Sequence, residues 1–63
     1  PNAERILEVL ERRGGVLLLH DKSSPAQIKA QLCMSKKTFK KALGTLYKAR
    51  RIEFIEQGIR LLD

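Results

Sequence analysis

The spacing of apolar positions changes along the chain, and each change predicts a different element. Ala3, Ile6, Leu7 and Leu10 recur at i, i+3, i+4 and i+7, the single buried stripe of an amphipathic helix. Asn2 is placed to cap it, and Glu4, Arg5, Glu8, Glu11 and Arg12 fall on the opposite face. Glu8 and Arg12 are four apart, acid first, the order that suits an intrahelical ion pair. Gly14-Gly15 ends the helix, because glycine takes the left-handed conformation without a steric penalty. Val16-Leu17-Leu18-Leu19 is too short for a helix between two breakers and predicts a brief, largely buried strand. Asp21-Lys22-Ser23-Ser24-Pro25 then predicts a turn.

Ser24 reads as a helix N-cap, with Pro25 at the first helical position and Gln27 three residues after the cap. Serine accepts from a free backbone N–H and glutamine reaches back, so two orphan donors are satisfied. This helix is short, running to about Leu32 with Ile28 and Leu32 inward. Cys33-Met34 is a tight connection, and Ser35 caps a third helix that runs to about Ala49. Helices joined by so few residues cross steeply, as in a helix-turn-helix. Beyond Arg50-Arg51 the period falls to two: Ile52-Glu53-Phe54 and Ile59-Arg60-Leu61 alternate around Gln57-Gly58, where glycine supplies the positive φ of a tight hairpin. The order α-β-α-α-β-β is that of a winged helix, an α+β fold whose last hairpin pairs with the first strand. Residues 1–63 are expected to form one such domain, and the start at Pro1, directly into an amphipathic segment, predicts a fragment of a longer protein.

Charge placement sharpens this picture. The chain carries a formal net charge of +6, and from Lys22 to Arg51 there are nine lysines or arginines and no acid. Such a block favours a polyanionic partner, nucleic acid before anionic lipid. In the third helix Phe39, Ala42, Leu43, Leu46 and Tyr47 span an apolar arc. Lys37, Lys41 and Lys48 lie opposite, with Lys36 and Lys40 nearer one flank. Lys36/Lys40 and Lys37/Lys41 are like charges at i, i+4, a small penalty accepted twice. Against a plain solvated lysine face, the helix-turn-helix order and the acid-free block favour contact with nucleic acid.

The remaining residues are weighed one by one. Ser35 caps the helix, and the N–H groups of that first turn, beside Lys36 and Lys37, could hold a phosphate. Gly44 costs about 0.8–1 kcal/mol in mid-helix. It admits either a sugar-phosphate backbone or, the preferred reading, close packing by the wing or a neighbouring domain. Tyr47 reads as a boundary core residue, and Phe39 and Phe54 as core, leaving no aromatic stacking platform. Cys33 reads as a small buried turn residue and His20 as a structural loop histidine. One cysteine and one histidine make a protein-only zinc cage implausible, and no nucleophile-base-acid set, phosphate-cradling glycine loop or carboxylate pair appears. No enzyme activity, cofactor, metal or small-molecule substrate is therefore expected. No apolar run is long enough to span a bilayer, and the lone cysteine fits a reducing, cytoplasmic setting.

The stretch from Asp21 to Leu61, about two-thirds of the chain, resembles the C-terminal winged-helix domain of the conserved virulence factor B family. The resemblance is carried by Asp21-Lys22-Ser23-Ser24-Pro25, by Met34-Ser35-Lys36-Lys37 with Phe39-Lys40-Lys41-Ala42-Leu43-Gly44 and Leu46-Tyr47-Lys48, and by the closing Gly58-Ile59-Arg60-Leu61-Leu62. It implies a last domain placed after several S1-type RNA-binding barrels in a bacterial, non-catalytic RNA-binding regulator. Lys36, Lys37, Lys40 and Lys41 match the motif, whereas Arg50 and Arg51 fall where basic character is looser. Cys33 stands where the family, like helix-turn-helix proteins in general, often has glycine, so the turn need not use a positive φ. The leading expectation is an accessory RNA-binding module, single-stranded RNA first, with phosphate contacts from Lys36, Lys37, Lys40, Lys41, Lys48, Arg50 and Arg51. The alternatives are a duplex-DNA-binding transcription regulator and an interdomain or protein-docking domain.

Overall fold

Residues 2–62, which the structure, a computed structural model, describes, form three helices and a three-stranded antiparallel sheet. The elements are α1 (Asn2–Arg12), β1 (Val16–Leu17), α2 (Pro25–Leu32), α3 (Lys36–Lys48), β2 (Ile52–Ile55) and β3 (Gly58–Leu61). The sheet order is β1-β3-β2, so the last hairpin adds to the first strand through β3. This is the winged-helix architecture that the periodicities predict, α+β in the order α-β-α-α-β-β.

The apolar stripes meet in one core. Ile6 and Leu10 of α1, Ile28 and Leu32 of α2, Phe39, Leu43 and Leu46 of α3, and Ile52 and Ile59 of the sheet are each no more than 4% exposed. Phe39 is the one aromatic ring that is fully buried, and Ala3, Leu7 and Val9 of α1 pack partly buried around the cluster. Burial of these side chains drives the collapse, because each helix is too short to hold itself in water.

The ends of the elements show how the chain is turned. Gly14 (φ +76°) and Gly15 (φ +96°) close α1, the Gly15 N–H donating to the Leu10 carbonyl at 2.7 Å. Asn2 is already helical, so it is not the cap before α1. Glu8 and Arg12 pair at 3.4 Å as their spacing predicts, but both side chains are well exposed and the pair adds little stability. Ser24 caps α2 by accepting from the Gln27 N–H at 3.2 Å, with Pro25 at the first position. Only this half of the capping box forms among the described residues.

Four expectations are corrected by geometry that a local pattern does not carry. Regular strand pairing covers only Val16 and Leu17, and β-alternation turns Leu18 outward, 68% exposed, between buried Leu17 and Leu19. Cys33 does take a positive φ (57°, ψ 39°) and is exposed, because a left-handed residue ends α2 there. The hairpin turn is Glu56-Gln57, neither at positive φ, and Gly58 is the first residue of β3. Glycine is needed at 58 for space: a Cβ there would fall well inside contact distance of the Leu17 carbonyl oxygen, and 3.0 Å from Leu18 Cα and Leu19 N.

Two substitutions test this account. Gly58→Ala drives a methyl into the β1 backbone and should cost about 1–3 kcal/mol, read from chemical denaturation. Cys33→Gly relieves the left-handed strain without removing a core contact and should add about 1 kcal/mol. That would appear as a rise of about 4–8 °C in Tm.

Candidate nucleic-acid interface

The orientation of α3 is set at its N-cap. Ser35 (φ −73°, ψ 158°) caps the helix, its Oγ accepting from the Thr38 N–H at 3.1 Å and donating to Thr38 Oγ1 at 3.0 Å. Met34, just before the cap, is buried and anchors the junction. With that start, Phe39, Ala42, Leu43 and Leu46 point into the core. Lys37, Lys40, Lys41 and Lys48 are left exposed, and Lys36 is half-buried on the flank. Arg50 and Arg51 follow, both exposed. Among the described residues, none of these seven cations is in a salt bridge; the ion pairs are Glu8–Arg12 and Glu53–Arg60, the latter across the outer face of the hairpin.

The seven do not form a single cluster. Lys41 lies with Thr38 and Thr45 in a groove shared with the start of α1. Lys40 faces the other way, into a groove of about 490 Å³ between α3, the hairpin and the loop before α2. Leu43, Gly44, Phe54, Lys22, Asp21 and Glu56 line that groove with it. Lys48 and Arg50 border a smaller groove of about 370 Å³ at the end of α3, beside Tyr47 and Glu53. Lys22 was visible in sequence only as one member of the acid-free block, and its place opposite α3 depends on the fold.

The helix ends under strain at Arg50. Its φ is +59°, the left-handed position where glycine is usual. The Arg51 N–H donates to the Leu46 carbonyl at 2.9 Å and the Arg50 N–H to the Tyr47 carbonyl at 3.0 Å, so these two carbonyls are satisfied despite the arginine.

Two aromatic expectations are corrected here. Phe54 lies on the core face, since its partner across the ladder is buried Ile59, yet it is 52% exposed because β2 is the edge strand. Tyr47 is 54% exposed and packs on Phe54, ring centroids 4.9 Å apart and planes at 34°. The chain therefore does present an aromatic pair to solvent. His20, in the loop before α2, is half-buried and its Nδ1 accepts from the Lys22 N–H at 3.0 Å, which leaves the proton of the neutral ring on Nε2.

Gly44 lies on the groove side of α3, and among the described residues nothing beyond its own turns of helix comes within 4 Å of where its Cβ would be. Packing by the wing is therefore not what keeps glycine there. Gly44→Ala should raise stability by about 0.8–1 kcal/mol in a denaturation series, since it gains helix propensity and meets no neighbour.

Comparison with known proteins bears on this surface. Residues 4–61 match the family model described as the CvfB-like winged helix domain. Conserved virulence factor B of Staphylococcus saprophyticus subsp. saprophyticus is 44% identical over 57 residues, covering 90% of this chain and 19% of that protein. A crystal structure of a multidomain protein with nucleic acid binding domains from Streptococcus pneumoniae TIGR4 superposes with a TM-score of 0.91 at 49% identity, over 97% of this chain and 21% of the other. The chain thus spans about a fifth of the length of these relatives. Among the described residues no helix is long and apolar enough to cross a membrane, and no group of three or more His, Cys, Asp or Glu is placed to hold a metal ion. Match, identity and fold agree over nearly the whole chain, and it belongs to the CvfB-like winged helix domain family.

Proposed function

We propose that this domain is a non-catalytic RNA-binding module, which adds phosphate contacts to those of S1-type barrels elsewhere in a longer cytoplasmic protein. The observation that carries the proposal is the exposed cationic surface of α3 and its end, unpaired among the described residues, in a stretch with no acid from Lys22 to Arg51. Lys36, Lys37, Lys40, Lys41, Lys48, Arg50 and Arg51 are the proposed phosphate contacts, and the capped first turn at Ser35 offers backbone N–H groups to one more phosphate. The Streptococcus pneumoniae relative, described as having nucleic acid binding domains, supports the class of partner.

Duplex DNA is the second reading, and two features weigh against it. Reading base edges in the major groove favours Arg, Asn or Gln, whereas the exposed face of α3 offers Lys, Thr and Gly. The wing turn is only Glu56-Gln57, and Glu56 carries the wrong sign for a phosphate contact at the wing.

Salt dependence tests the proposal. Contacts to about five phosphates give a slope of log K against log[salt] near −3.5 on single-stranded RNA. Lys37→Glu with Lys41→Glu, both at exposed positions, should weaken binding and make the slope shallower by about 1.4. A flat salt response would remove electrostatic binding from consideration. A strong preference for one duplex sequence, in competition with matched RNA, would favour the DNA regulator.

A further inference from the structure

We propose that Tyr47 and Phe54 form a base-stacking platform, on which one unpaired base of a single-stranded RNA rests while its flanking phosphates reach cations on either side. This inference rests on the nucleic-acid reading above and adds to it a site and the strandedness of the ligand. The two rings touch each other and are each about half exposed, 54% for Tyr47 and 52% for Phe54. They also stand where two grooves meet. Phe54 lines the groove that holds Lys40 and Gly44, and Tyr47 lines the one bordered by Lys48 and Arg50. A strand crossing this ridge would meet an aromatic surface between two sets of positive charge.

Three features favour this occupant over a folded apolar partner. Lys22 and Lys40 flank the ring pair on one side and Lys48 and Arg50 on the other, none of them in an ion pair among the described residues, and the stretch from Lys22 to Arg51 that carries them holds no acid, which favours a polyanion. The open space over Gly44, one turn before Tyr47 on α3, leaves room for a sugar or phosphate to come close to the helix backbone. Asp21 and Glu56 also line the Phe54 groove, and their carboxylates can accept from the amino or imino groups of a base but repel a phosphate. Lys40 on α3 and Glu56 on the hairpin orient a nucleotide with its backbone toward the helix. Stacking of this kind needs a free base face, which a duplex withholds.

Tyr47 supplies its own test, because the chain has one tyrosine and no tryptophan. Titrate a short single-stranded oligoribonucleotide into the chain at low salt and follow tyrosine emission, then repeat with the same strand annealed to its complement. The single strand should quench the emission and the duplex should not. Tyr47→Leu and Phe54→Leu keep an apolar side chain at exposed positions but remove the π face. Each should weaken single-strand binding about tenfold and leave the salt slope unchanged. Denaturation curves establish that both variants remain folded. If the leucine variants bind as tightly as the parent, or the emission is unmoved while RNA binds with its steep salt slope, the platform is wrong and the phosphate-contact reading stands. Equal quenching by the duplex overturns the strandedness. If the parent chain binds neither ligand, the nucleic-acid reading falls and the platform falls with it.

Discussion

The three residues between α2 and α3 govern most of what this domain can present. Cys33 turns the chain through the left-handed region, Met34 drops its side chain into the core, and Ser35 caps the next helix. Together they fix both the direction of α3 and its rotation about its own axis. Rotation is the stricter requirement. One residue of slippage turns a helix by about 100°, enough to bring a lysine to the position of Phe39 and to bury charge in a core with a single aromatic. A side chain at φ 57° costs about 1 kcal/mol, and holding the register of α3 offsets it.

Much of this was legible in the chain itself. The caps at Ser24 and Ser35, the glycine stop after α1 and the change of period after Arg51 place every element within a residue or two, since each is a local rule acting on neighbours. What escaped was lateral position. Period-two alternation correctly puts Phe54 on the inner face, but it does not say that β2 is an edge strand with little beyond it except Tyr47. For the same reason Gly58 looked like a turn residue, when the demand on it comes from the Leu17 backbone some forty positions earlier. Residues far apart in sequence impose constraints that no local pattern records.

The candidate surface divides along the same line. The cationic face of α3 is readable from helical periodicity, because the spacing that buries Phe39, Leu43 and Leu46 also exposes Lys37, Lys41 and Lys48. The two grooves, the aromatic pair between them and Lys22 opposite Lys40 depend on how the hairpin folds back beside α3. Gly44 shows how structure changes the weight of a residue. The sequence favours packing by the wing or a neighbouring domain, and the open space around Gly44 removes the wing from that pair.

Local penalties in α3 also point outward. Gly44 forgoes about 1 kcal/mol of helix propensity, and Arg50 spends a comparable amount by sitting at φ 59° where glycine would be relaxed. The lysine pairs at 36/40 and 37/41 add a few tenths each. A domain of this size has a net stability of only about 5 kcal/mol, so these terms are a large share of it. No core contact is gained in return, since Gly44, Arg50 and four of the five helix lysines face solvent. Sequences tend to break local rules without structural compensation where a surface is used. By that criterion the exposed side of α3 is the surface on which we propose that the domain meets its partner.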